Sequence, residues 1–179
     1  MHSRTRASAI AGMILAAGFI GGCTVKPMLA TTTNDFGVAD GVQMSSVSVA
    51  EVGTRYAQEV RNHLIFLLHG GAEQPSNPAY RLNLSVARSV MSTVQIQSGG
   101  VHEPTAGTVR MTGSYTLVDT ATGVTVAQGV QEATASFDRP LQEYAVLRAE
   151  RDAENRAARE LAEFIRLSLA QDLVRAGAR

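Results

Sequence analysis

The residue best suited to covalent chemistry in this 179-residue sequence is Cys23, the only cysteine in the chain. It follows the small residues Gly21 and Gly22 and the branched Ile20. A thiol beside such a cleavage signature can be alkylated as a thioether, whereas a lone thiol cannot close an internal disulfide. The other reactive groups are scattered. His63 and His69 stand six apart in a stretch of helical periodicity, on different faces, so local geometry excludes a metal shared between them; His102 lies far along the chain. No serine sits in a nucleophile-elbow setting, and no glycine-rich loop opens a helix after a strand. Glu150, Asp152 and Glu154 are interleaved with Arg148, Arg151 and Arg156, a pattern of solvated ion pairs along one helix. The expectation is a protein with no catalytic centre, metal or cofactor. Arginine is left as the means of gripping an anionic ligand: Lys26 is the only lysine, and guanidinium binds phosphate or carboxylate bidentately.

What precedes Cys23 is export machinery. Arg4 and Arg6 stand before an apolar run from Ala9 to Ile20. A dozen apolar residues are too few to span a bilayer, which takes roughly 20. Residues 1–22 are therefore expected to be a signal peptide, and Ile20-Gly21-Gly22-Cys23 resembles a lipobox, with Cys23 as the acylated mature N-terminus. Thr24 in place of Asp resembles lipoproteins sorted onward to the outer membrane. Of the 16 basic residues, Arg4 and Arg6 would leave with the signal, so 14 face 16 acidic ones in a mature chain of 157 residues. That balance argues against nucleic acid, which calls for a clustered positive excess.

The elements that would position the arginines follow from periodicity. Residues 23–41 have no sustained pattern and read as a lipidated tether. Residues 42–175 read as one domain in the order β-α-β-β-β-α, with 176–179 as a short tail. Val42, Met44, Val47 and Val49 suggest a first strand. Tyr56, Val60, Leu64, Leu67 and Leu68 recur at helical spacing, with Gly70-Gly71 as the stop. Tyr80, Leu82, Leu84 and Val86 alternate strictly, as do Val109, Met111, Gly113, Tyr115 and Leu117. Val90 to Thr108 is expected to hold a strand extension and a tip loop. Asp119 to Gly123 is a turn into a returning strand, Val124 to Phe137, where Gly129 suggests a bulge. From Pro140 to about Arg175 a long helix carries a stripe of Ala157, Leu161, Ile165, Leu169 and Leu173.

Strands apolar on one side need only one cover. The expected fold class is therefore α+β, a two-layer sandwich: a four-stranded, mainly antiparallel sheet with both helices on one face. The bare face would show Arg81, Asn83, Ser85, Arg110, Thr112, Ser114 and Thr116. Arg88 and Arg110 are expected to approach each other near the hairpin tip as a small cationic spot.

Five stretches carry a family resemblance across nearly the whole mature chain. They are Cys23 with Lys26-Pro27-Met28-Leu29, Gln58 to Leu64, Tyr80 to Leu84, Tyr115 to Asp119 before Thr122-Gly123, and Tyr144 to Leu147 leading to Ala157 to Ala162. Together they resemble the LPS-assembly lipoprotein (LptE) family in its alphaproteobacterial form. One departure is Met28-Leu29-Ala30, where that family usually has an aromatic. The resemblance implies a non-enzymatic, lipid-anchored protein on the periplasmic side of the outer membrane. Such a protein sits inside an LptD-type β-barrel, helps it assemble and binds lipopolysaccharide. Arg81, Arg88 and Arg110 are the candidate phosphate contacts, chosen by their expected facing. An auxiliary lipoprotein of an ABC-type lipid transport system is the alternative, and a lipid-anchored hydrolase has no candidate catalytic residues.

Overall fold

A computed structural model describes residues 44–95 and 104–177. Cys23, the expected signal and tether segments and His102 lie outside the described residues. The elements are β1 (Val47–Val49), α1 (Arg55–His69), β2 (Tyr80–Gln95), β3 (Pro104–Asp119), β4 (Thr125–Asp138) and α2 (Glu143–Gly177). The order β-α-β-β-β-α and the α+β class are as expected from the periodicities.

The helix boundaries follow from local chemistry. Thr54 caps α1 from extended backbone, its hydroxyl accepting from the Ala57 N–H at 3.4 Å. Gly70 ends the helix at φ 63°, a left-handed conformation that costs glycine nothing, and its N–H reaches the Phe66 carbonyl at 2.8 Å. Ala57, Val60, Leu64 and Leu68 form the buried stripe of α1.

The four strands are ordered β1-β2-β3-β4. β2, β3 and β4 form an antiparallel meander, while β1 lies parallel to β2 over Val47–Val49 against Tyr80–Leu82. A parallel pair needs a crossover of a dozen residues or more, and α1 supplies it. β1 is shorter than the expected strand. Met44 is buried ahead of it but outside the ladder. The chain closes off this short strand with side chains: Gln74 Oε1 accepts from the Val49 N–H at 2.6 Å, and Arg61 donates to the carbonyls of Ala50 and Val49.

β2 and β3 have 16 residues each, about 50 Å of ribbon. α2 runs 35 residues along the same side of the sheet as α1. Its stripe of Ala157, Leu161, Ile165, Leu169 and Leu173 is buried as expected, joined by Ala153, Ala158 and Ala162. These alanines let the helix backbone approach the sheet closely. Gly113 answers from β3, since a Cβ there would sit 3.1 Å from Ile165 Cδ1 and 3.2 Å from Leu161 Cδ2.

Gly129 does not mark a bulge. It pairs in register with Tyr115, and the irregularity falls where Leu117 and Val118 oppose Ala127 and Thr125, leaving Val126 as the extra residue. The reason for glycine at 129 is steric: a Cβ would lie 2.6 Å from the Tyr115 hydroxyl. The buried tyrosine lies across that gap and meets α2, its hydroxyl 2.6 Å from Ser168 Oγ and donating to Asp172 Oδ2 at 2.9 Å. Burial, opposed in part by the Ser168 bond, raises the phenol pKa above its ordinary value.

Candidate functional site

Strand alternation sorts the sheet residues onto two faces. Leu82, Val109, Met111, Tyr115, Leu117, Ala133, Ala135 and Phe137 point into the helix layer and are buried. Their neighbours in sequence point away. On this bare face Asn83 stands opposite Thr116, Ser85 opposite Ser114, and Ser89 opposite Arg110 in the β2–β3 ladder. Arg110 opposes Thr134 in turn, and Thr108 opposes Ser136 in the β3–β4 ladder. The result is a mainly polar band, rich in hydroxyls, along the ribbon, interrupted by the exposed Val130 and Met91. Thr108 Oγ1 and Ser136 Oγ lie 3.3 Å apart, and Ser114 Oγ donates to the Ser85 carbonyl at 3.5 Å. Charge on this band is sparse and balanced. Arg110 pairs diagonally with Glu132 at 3.4 Å, both half-exposed, and Arg81 is exposed opposite Val118.

Two of the three candidate arginines therefore share the bare face, and the third does not. Arg88 stands opposite Met111, a core residue, and has the same parity as Leu82, Leu84 and Val86. It points into the helix layer. Arg88 and Arg110 occupy adjacent rungs of the β2–β3 ladder but opposite sides of the sheet, so the expected cationic spot is not formed. On the helix side Arg88 is neutralised: its guanidinium pairs with Glu154 and lies 3.1 Å from Glu150. The bond to Glu154 and the two neighbouring carboxylates outweigh partial burial and hold the guanidinium more firmly protonated than usual.

Glu154 is the residue that sequence reasoning placed wrongly. Of the acidic cluster on α2, only Asp152 makes the expected solvated pair, with Arg156 at 2.9 Å. Glu154 is 4% exposed and binds outward from its helix, to Arg88 of β2 and to Arg55 at the start of α1 at 2.8 Å. A buried carboxylate needs such partners, because desolvation without them costs several kcal/mol on the order usual for buried ions. One side chain thus ties three elements together. The signal that could have found it is the even parity of Arg88, which sends a cation under the helices and requires an anion there.

The histidines serve locally. His63 lies 3.2 Å from Glu59 on the same helix. His69, at the end of α1, is held below its usual pKa by burial, a hydrogen bond with the Val47 backbone acting the other way. Among the described residues no group of three His, Cys, Asp or Glu is gathered as a metal ligand set, and no helix is long and apolar enough to cross a membrane.

No protein-family model matches the chain, and no curated protein matches it. Solved structures do. A protein of Caulobacter crescentus CB15 described as a candidate lipoprotein is 27% identical, with a TM-score of 0.61, over 75% of this chain and 96% of its own. The rare lipoprotein B of Shewanella oneidensis is 14% identical with a TM-score of 0.53, over 72% and 95%. A minor lipoprotein of Acinetobacter baumannii is 14% identical with a TM-score of 0.51, over 70% and 89%. The fold is shared with proteins described as lipoproteins, nearly all of whose lengths it spans.

Proposed function

We propose that this chain is a lipid-anchored, non-enzymatic protein of the outer membrane, a plug and assembly factor for an LptD-type β-barrel in lipopolysaccharide transport. The observation that carries the reading is the contrast between the two sides of one long sheet. One side is closed by helices. The other is a hydroxyl-lined strip of low net charge, about 50 Å long, suited to the polar interior of a wide barrel. The lipoprotein descriptions of the structural neighbours and the lipobox-like Ile20-Gly21-Gly22-Cys23 support an anchored form. Attachment through acyl chains accords with a domain in which no described helix spans a bilayer.

Affinity purification of the acylated full-length chain from detergent-solubilised envelopes tests the reading. A large outer-membrane barrel is expected to accompany it. Recovery of a permease complex instead would favour the auxiliary lipoprotein of an ABC-type lipid transporter, and Cys23→Ala should release the chain from membranes. For lipopolysaccharide, Arg81 and Arg110 are the contacts retained, since both face away from the helices and guanidinium suits phosphate. Substituting both by alanine is expected to weaken lipopolysaccharide binding by more than about tenfold, on the usual worth of hydrogen bonds to charged groups. Unchanged affinity would remove them as ligand contacts.

A further inference from the structure

α2 opens on a patch that the fold leaves uncovered. Leu141, just ahead of the helix, is 94% exposed, and Tyr144 and Leu147 in its first turns are exposed at 71% and 58%. At 3.6 residues per turn Tyr144, Arg148 and Arg151 fall opposite the buried Val146 and Ala153, so they face away from the sheet, with Leu147 on one flank. The Arg148 guanidinium lies over the Tyr144 ring, 6.0 Å from its centroid. Neither Arg148 nor Arg151 has an ion-pair partner among the described residues. The nearby carboxylates are engaged or turned aside. Glu150 holds Arg88, Asp152 holds Arg156, and Glu143, two turns before Glu150, shares its flank.

Charge and shape narrow what can cover this patch. Two unpaired guanidiniums side by side call for an anionic surface, and a second copy brought against the same patch would set arginine on arginine. Beyond the described residues the chain has only single, separated acids to offer, Asp35, Asp40 and Glu103. The shape is convex. A leucine that stands almost wholly free ahead of a helix end needs a cavity in a protein partner, whereas a fluid bilayer closes round it. Apolar wedge, tyrosine and arginine together are the composition of a membrane interface. The other exposed apolar pair of α2, Phe164 and Leu167, sits beside Glu160 and Glu163, which an anionic surface would repel. Reach allows the contact. β1 lies at the end of the ribbon where Tyr80 meets Asp119, and α2 follows β4 at the other end, where Asp138 meets Ala106. The chain between Cys23 and Met44 can extend to about 70 Å, more than the ribbon's length of about 50 Å.

We infer that this patch docks the start of α2 on an anionic phospholipid bilayer. Leu141 inserts below the headgroups, Tyr144 and Leu147 lie at the interface, and Arg148 and Arg151 bind lipid phosphates. The inference rests on the acylated reading of Cys23, which brings the domain to a bilayer, and is independent of the barrel. It uses the helix layer and leaves the bare face of the sheet free.

An acylated Cys23 has no thiol left, so Leu141→Cys gives a single site for a nitroxide label. Collision of that label with oxygen and with a water-soluble nickel chelate is measured on the acylated full-length chain in nanodiscs of phosphatidylethanolamine and phosphatidylglycerol, with Glu163→Cys as the reference. At 141 oxygen access should be high and nickel access low, at a depth of about 5–10 Å, with the reverse at 163. Adding Arg148→Glu and Arg151→Glu should lower the ratio of docked to undocked label by more than about tenfold, with the circular dichroism spectrum retained. Low access to both reagents at 141 would mean that protein covers the patch, whether the same chain or a second copy, and overturns the inference. A label open to nickel overturns it too, as does docking no weaker in phosphatidylcholine discs; in these outcomes the anchored reading stands. A chain that takes a second label at Cys23 and fails to enter the discs overturns both.

Discussion

The two faces of this sheet come from the same three long strands and differ only in which alternate residues they display, yet they obey opposite rules. On the covered face each side chain answers a specific neighbour: Gly113 makes room for Leu161 and Ile165, Gly129 for Tyr115, and Arg88 meets Glu154. On the bare face short polar side chains stand beside exposed apolar ones such as Val130 and Met91, with little that is irreplaceable. A close-packed interior resists changes of a single methylene, whereas a solvated surface absorbs them. The fold is therefore held by one face, which frees the other for contact.

Paired substitutions at matching levels of the two faces can break that contrast. Leu161→Ala empties part of the core and should cost about 2–5 kcal/mol in denaturant unfolding, while Thr112→Ala, across the sheet, should stay within about 0.5 kcal/mol. Equal losses would mean the bare face is structural after all. Glu154→Ala tests the polar centre of the covered face. It strands Arg88 and Arg55, but both keep some solvent, so the loss should be about 1–3 kcal/mol, below the range for a fully buried pair. Glu150→Ala, at the exposed margin of the same cluster, should cost less. A smaller effect, about 1 kcal/mol, is expected for Tyr115→Phe, which removes the bonds to Ser168 and Asp172.

That tyrosine also gives the contrast a pH signature. Its folded-state pKa lies above the ordinary 10.0, so its contribution is complete below that value and is lost as pH rises through the raised one. Stability of the parent chain should fall more steeply than that of Tyr115→Phe on the alkaline side. Parallel curves would show that the phenol is not as enclosed as its position indicates.

Much of this was legible in the sequence, for reasons that can be named. Strict alternation at Tyr80–Val86 and Val109–Leu117 fixes both strands and their facing, because a one-residue slip would turn every apolar group to water. Gly70 and the apolar spacing from Tyr56 to Leu68 fix α1. The parallel pairing of β1 was not legible, since three residues carry no period and the pairing is decided by where α1 returns the chain. Glu154 was hidden for a different reason. Charges at i, i+4 along a helix satisfy each other so plausibly that nothing local reveals a carboxylate committed to another element. Arg88 could have been placed by counting: it continues Leu82, Leu84 and Val86, and proximity in register to Arg110 misled. Gly129 shows the same weakness: a strand glycine suggests a bulge, and the actual cause is the Tyr115 ring from the neighbouring strand.

The grip of Glu154 also bears on the order in which the molecule assembles. Its partners are 66 and 99 residues away in the chain, whereas β2, β3 and β4 join through neighbouring connections. Contacts that close short loops form ahead of those that close long ones. The meander can zip first, leaving α1 and α2 to be clasped together at the end, so the clasp governs how long the native state lasts more than how fast it is reached.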